Sequence, residues 1–318
     1  MNRRDFIKAS AAAVLTTGGV FLLGSRHSLS ARRPANLNTL WPKNFRVSGD
    51  PSRPILSAVK SKDYRLATAL ALTPLGGIEA FIKKGDKVCI KPNIGWDRTA
   101  EQGANTHPLI VAELASLCFK AGAARVWVAD VTCNAAERTY NRSGIKAAAE
   151  AEGARVIMPD DSQLVEVDFG GDSLGRWPVL RPILEADKLI NVPVIKHHGL
   201  ANATGALKNW FGAISGPRNR LHQDIENSVA ELGLLFQPTL TVVDATRVLQ
   251  RNGPQGGRID DLIIHDFVFA STDQVAAEAY AVRFLNRKPE DFPFIRIAQE
   301  KGVGRMDWPS EKLVFAEA

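Results

Sequence analysis

From residue 76 onward, apolar and polar positions follow two alternating rhythms. Short apolar runs such as Val88-Cys89-Ile90, Val126-Trp127-Val128-Ala129 and Leu189-Ile190-Asn191-Val192 read as buried strands. Between them, residues such as Ile110, Leu114, Leu117, Cys118 and Ala121 repeat at helical spacing. The pattern predicts strands over 87–91, 125–130, 155–158, 188–192, 240–244 and 267–270. It predicts helices over 78–83, 107–121, 143–152, 223–236 and 273–285. Gly85-Asp86, Gly122 and Gly153 punctuate the units. This alternation implies β-α-β crossovers and an α/β fold, with a mainly parallel, Rossmann-like sheet flanked by helices. Residues 164–169 and 177–180 add a small β-excursion, and no internal repeat at a fixed period is visible.

The first 75 residues break that rhythm. Asn2-Arg3-Arg4-Asp5-Phe6-Ile7-Lys8 matches the pattern read by the twin-arginine translocation machinery. The moderately apolar stretch Ala9–Leu23 behind it is too short for a membrane span. Residues 1–30 are therefore expected to be a twin-arginine signal peptide, with Ser28 and Ser30 framing the cleavage. The mature protein would be periplasmic or otherwise extracytoplasmic, without a stable membrane span. Residues 31–75, rich at first in Pro, Arg, Asn and Ser, are expected to form an extended arm, and residues 76–318 the α/β domain.

Removing the signal also takes away half of the formal net charge of +6, because Arg3, Arg4, Lys8 and Arg26 lie there against Asp5 alone. The mildly basic remainder suits small anions but has no concentrated basic face for nucleic acid. Cys89, Cys118 and Cys133 are too few and too scattered for a disulfide framework or an iron-sulfur site. Cys118 belongs to a helix face and Cys89 to a strand, so both should be core. Cys133, shortly after a strand end, could face a site.

Ligands in open α/β sheets bind outside the carboxyl ends of the strands. The residues that follow strands directly are Lys91 to Asn93, Asp130 to Cys133, Pro193 to Gly199 and Asp244 to Arg247. The densest cluster runs through Lys196, His197, His198 and Gly199 to Asn202, Thr204, Gly205, Lys208 and Asn209. Thr204 is expected to cap a helix through Leu207, Trp210, Phe211 and Ile214, its free N–H groups near Gly205 favouring an anion. Lys91, Lys196, His197 and Lys208 are the expected catalytic set, converging on one crevice. Asn93, His107, Asp130, His198, Thr204, Gly205, Asn209 and His222 are expected to bind the ligand. A transition metal held by His197, His198 and His222 is a competing reading, although their spacing matches no specific metal signature. An acid-base role for one histidine stays equally open. His107, before Pro108, can also simply close the turn into its helix. Neither a G-x-x-x-x-G-K-[ST] loop nor a G-x-G-x-x-G run occurs.

Several segments occur together in order: Lys91-Pro92-Asn93, Thr106-His107-Pro108, Ala121-Gly122-Ala123 leading to Asp130, and Asn191 to His197. Thr204-Gly205-Ala206-Leu207-Lys208-Asn209 with Phe211-Gly212 follow, then His222, Asn252-Gly253-Pro254 and Ser271 to Ala276. Over residues 85–285 the chain thereby resembles domain-of-unknown-function family 362, and Glu278 stands where that family more often has Asp. The resemblance implies no particular activity. Some members resemble iron-sulfur proteins through an added ferredoxin-like segment, which this sequence does not contain, so no cluster is expected. The pair Thr106-His107 at a helix start is also similar to lactate-racemase-like α/β proteins, an analogy of fold alone. The expectation is an extracytoplasmic enzyme acting on a small anionic substrate. The alternative is a non-catalytic ligand-binding or redox-assembly protein.

Overall fold

The computed structural model describes residues 42–47, 50–170 and 174–318. The expected export signal over residues 1–30 lies outside them, as does the expected arm up to residue 41. Strand β1 (Leu56–Lys60) and helix α1 (Tyr64–Leu72) come first. They lead to β2 (Lys87–Pro92), α2 (Pro108–Lys120), β3 (Arg125–Ala129), α3 (Ala136–Arg142), α4 (Ile145–Ala151) and β4 (Arg155–Ile157). A hairpin of β5 (Leu164–Asp168) and β6 (Arg176–Leu180) precedes α5 (Arg181–Glu185) and β7 (Lys188–Val192). A second hairpin, β8 (Lys196–His198) and β9 (Asn202–Thr204), precedes α6 (Ile225–Leu235), β10 (Leu240–Leu249) and β11 (Leu262–Ser271). Helices α7 (Gln274–Ala281) and α8 (Pro293–Glu300) and strand β12 (Leu313–Glu317) follow.

Eight strands form one sheet in the order β12-β1-β11-β10-β7-β2-β3-β4. β10, β7, β2, β3 and β4 are mutually parallel, and β11 runs against both β10 and β1. The chain steps outward from β2 through β3 to β4, then returns to lay β7 and β10 on the other side of β2. The strand order therefore reverses between β2 and β7, the kind of switch point where α/β sheets leave a crevice.

Alternation along the strands divides the core into two layers. Val88, Ile90, Val126, Val128, Ile190 and Val242 pack with residues of α1 and α2 on one face. Cys89, Trp127, Leu189 and Val243 pack on the other with residues of α6, α7 and α8. The second layer also holds Leu207, Trp210 and Ile214, so the segment after β9 lies directly over the sheet.

Three expectations change. The arm expected over residues 31–75 does not extend to 75, because β1 is inserted between β11 and β12 and α1 follows it, capped by Asp63. With only five residues, and Ser57 buried among them, β1 is too brief to announce itself. The helix expected over 143–152 is interrupted near its start by Gly144, whose φ of 75° lies in the left-handed region, so α4 begins at Ile145. The helix expected over 78–83 is reduced to a single 3-10 turn, Ile78–Ala80. The expected β-excursion is the β5-β6 hairpin, in antiparallel register. Gly171-Asp172-Ser173-Leu174-Gly175 has the G-x-S-x-G spacing; residues 171–173 lie outside the described residues, and the elements before and after the run are these two strands. A nucleophile elbow instead links a strand to a helix.

Candidate functional site

The end of β2 sets the geometry. Pro92 supplies no N–H and closes the strand, and Thr106 then ties the neighbouring strand ends together. Its Oγ1 donates to the Val192 carbonyl at 2.6 Å and accepts the Asn93 N–H at 2.9 Å. Lys91, fully buried, forms an ion pair with Asp130, Nζ to Oδ1 at 2.7 Å, and donates to the Pro92 carbonyl at 3.0 Å. Asp130 Oδ2 accepts the Ile94 N–H at 2.6 Å. Burial pushes the Lys91 pKa down and the Asp130 pKa up, and the attraction between the two opposes both shifts. Gly212 closes over the pair, since a Cβ there would lie 2.7 Å from Lys91 Nζ. Any side chain at this position would displace the ion pair.

Above the pair, at the switch point, opens a crevice of about 550 Å³. Lys196, on β8, donates to Asn93 Oδ1 at 2.9 Å and to the Ala104 carbonyl. Lys208 is 5% exposed, and its Nζ sits 3.6 Å from the centroid of the Phe211 ring. Burial brings each of these two lysines down to about 7; Cys133 opposes the shift in both, and for Lys208 the charges of Arg218 and Lys196 add to it. Among the described residues, neither forms an ion pair with a carboxylate. Asn209 spans the floor, its Nδ2 donating to Asn191 Oδ1 at 2.8 Å and its Oδ1 accepting from Asn93 Nδ2 at 3.1 Å.

The histidines divide by role. His198 Nδ1 accepts the N–H groups of Leu200 and Ala201 at 3.1 and 3.2 Å. Burial, then the charges of Lys208 and Lys196, hold its pKa at about 2. The ring is thus neutral at any ordinary pH and carries its proton on Nε2, which makes that atom a fixed donor. His222 stacks on it with centroids 6.2 Å apart, and burial lowers its pKa too.

The crevice therefore collects Asn93, Asp130, Lys196, His198, Thr204, Lys208, Asn209 and His222 from the expected set, with Lys91 directly behind Asp130. Three expected residues stand elsewhere. His197 Nδ1 accepts the Gly253 N–H at 3.2 Å, so its ring braces the 252–254 turn. His107 caps α2 through Nδ1, meets the Tyr64 ring edge-on, and gives its N–H to Asp244 Oδ2 at 2.7 Å. Gly205 lies against the Glu278 carboxylate. The expected capped helix is also replaced: β9 runs to Thr204, and only a 3-10 stretch, Lys208–Ala213, follows. Of the N–H groups at this turn, those of Ala206 and Leu207 go to the Glu278 carboxylate, Leu207 to Oε2 at 2.7 Å. Burial raises Glu278 to about 7 despite these bonds.

Arg218 was not in the expected set. It lines the crevice and donates to the carbonyls of Val131, Phe211 and Thr132 at 2.7–3.0 Å. Nothing in the Gly216-Pro217-Arg218 run distinguishes it from a surface arginine. Gly253 and Pro254, read from sequence only as a turn, form part of the wall. Cys133 does face the site. Among the described residues, no group of three or more His, Cys, Asp or Glu side chains is placed to hold a metal ion. The expected trio is separated, since His197 turns to Gly253 and His198 spends Nδ1 on backbone N–H groups.

Comparison with known proteins identifies one family, the domain of unknown function DUF362, matching residues 88–283. A thylakoid-associated protein from Synechocystis is 24% identical over 266 residues, covering 78% of this chain and 79% of its own length. Among solved structures, a Thermotoga maritima protein superposes with a TM-score of 0.41 at 11% identity, over 71% of this chain. The lactate racemase apoprotein of Thermoanaerobacterium thermosaccharolyticum gives 0.36 at 12% identity, over 76%. The chain spans 60% and 58% of those two proteins.

Proposed function

We infer that this chain, which belongs to the DUF362 family, holds a small anion in the crevice at the carboxyl ends of β2 and β7 and acts on it as an extracytoplasmic enzyme. The observation that carries this reading is Lys208, a lysine head enclosed by protein with no carboxylate among the described residues to pair with it. A buried charge needs compensation, and an anionic ligand between Lys208, Lys196 and Arg218 supplies it. Asn93, Asn209 and the Nε2–H of His198 add neutral hydrogen-bonding groups that orient such a ligand. Two lysines near pKa 7 give the site both a base and a cation at neutral pH, since a neutral amine can take a proton while its charged neighbour holds the substrate.

Export by the twin-arginine route completes the proposal, on the strength of Asn2-Arg3-Arg4-Asp5-Phe6-Ile7-Lys8. The thylakoid association named for the Synechocystis relative fits a protein that meets a membrane on its way. Among the described residues, no helix is long and apolar enough to cross one.

The test is thermal unfolding with acetate, succinate, sulfate or phosphate. A ligand at about 100 times its Kd adds about 2.7 kcal/mol of stability. At least one of these anions should raise the Tm of the wild type and not that of Lys208→Met. Equal shifts in both proteins would remove Lys208 from the site, and the proposal with it.

A further inference from the structure

The Cys133 thiol opens on the same crevice as Lys196, Lys208 and Arg218. It is exposed, whereas Cys89 and Cys118 are buried. Its backbone N–H donates to the Gly95 carbonyl at 2.8 Å, which fixes the turn presenting the side chain. Arg218 Nη2 stands 3.9 Å from Sγ. Two further observations point to a ligand in the same crevice. Thr204 is 5% exposed and lines the crevice, and among the described residues its Oγ1 has no hydrogen-bond partner. Lys208, equally buried, meets the Phe211 ring and no carboxylate among the described residues.

We propose that Cys133 is a modification site for anionic, low-molecular-weight disulfides, which the cations of the crevice hold against Sγ. This rests on the reading of the crevice as an anion site and names a class of compound it takes. The Cys133 thiolate attacks one sulfur of the bound disulfide. A bond forms between Sγ and that sulfur as the original S–S bond breaks, and the departing thiolate leaves with the electron pair. Cys133 is oxidised and the disulfide reduced in the same step, so no other oxidant enters. The proton lost by Cys133 ends on the leaving thiolate or in solvent. Selectivity comes from charge, because a cationic crevice raises the local concentration of an anionic reagent next to Sγ and lowers that of a cationic one. An exposed cysteine on an ordinary loop would show no such order.

The experiment treats the full chain near neutral pH, at low salt, with three disulfides of similar size. These are 3,3′-dithiodipropionate with two carboxylates, the neutral 2-hydroxyethyl disulfide, and cystamine with two ammonium groups. Mass spectrometry of the Cys133 peptide follows adduct formation, with Cys89 and Cys118 as buried controls. The dianion should react with Cys133 at least about tenfold faster than the neutral compound, and cystamine slowest. About 0.5 M salt should compress that order, and Lys208→Met should compress it at low salt. If that variant fails to fold, the wild-type series at two salt concentrations decides alone. Equal rates for the three, or a slowest dianion, overturns the proposal. Adipate, a dianion of similar length without a disulfide, separates the two readings. If adipate shields Cys133 from the neutral disulfide while no charge order appears, the modification site is wrong and the anion crevice stands. If adipate gives no shielding and no order appears, both are wrong.

Discussion

Lys208 is the side chain that distinguishes this crevice from an ordinary polar loop, and its burial has a measurable cost. In the unfolded chain a lysine keeps its charge up to about pH 10.4, whereas in the folded chain Lys208 loses it at about 7. Between those values the unfolded state binds more protons, so this group makes stability rise with pH, while below 7 the cost of the buried charge is fully present. In the absence of a ligand, Lys208→Met should therefore be more stable than the wild type at pH 6, by about 1 kcal/mol or more. The gain should shrink toward pH 10, as chemical denaturation at the two pH values would show. Glu278 works in the opposite sense. Its folded pKa is raised to about 7, so its contribution falls as pH rises from the ordinary carboxylate range through 7. Glu278→Ala would leave the Leu207 N–H without its acceptor, a loss of about 1–3 kcal/mol near pH 4, where both the folded and the unfolded carboxyl are mostly neutral and the charge cost is nearly absent. An unchanged denaturation midpoint there would mean that the carboxyl does not hold the 205–208 segment.

At the scale of elements, the segment from Gly205 to Ile214 shows where sequence pattern stops. Apolar positions 207, 210, 211 and 214 suit a helix, yet side chains from other elements occupy the polar groups around it. Leu207 N–H donates to Glu278, Asn191 Nδ2 donates to the Ala206 carbonyl at 2.8 Å, and Trp210 Nε1 donates to Gln274 Oε1 at 2.7 Å. Tertiary contacts overrode local propensity. Trp210 anchors this arrangement, fully buried and stacked on Phe236. Trp210→Ala should cost about 3–5 kcal/mol and abolish ligand-induced stabilisation in the fraction that still folds, checked by denaturation and thermal shift together. Strands β2, β3 and β7 were legible because the sheet is covered on both faces and their apolar runs are continuous. Lys91, Lys196 and Lys208 were legible for a related reason, since they follow strand ends or lie close beyond them in a dense polar cluster. His197 was not, because the ring that points to a crevice and the ring that accepts a backbone N–H look alike in sequence; for His107 the position before Pro108 already offered the turn-closing role it has at the start of α2. Arg218 was missed because its partners include the carbonyls of Val131 and Thr132, far away along the chain, as well as the nearby Phe211 carbonyl.

Across the whole molecule, the reversal of strand order between β2 and β7 explains why residues as distant as Asn93, Lys196 and Arg218 share one crevice. The proposed export signal is tested separately: Arg3→Lys with Arg4→Lys should leave the folded protein in the cytoplasm, whereas normal export of that variant would remove the signal. The proposed anion site requires buried lysines that stay partly deprotonated until an anion binds. Calorimetry of succinate binding near pH 7.5, in two buffers of different ionisation enthalpy, addresses it most directly. An anion favours the charged form of Lys208 and Lys196, so binding should draw protons from the buffer and tighten as pH falls through 7. The wild type should show net proton uptake, and Lys208→Met little or no binding heat in either buffer. Binding with no proton uptake, or with an affinity indifferent to pH, would contradict the account.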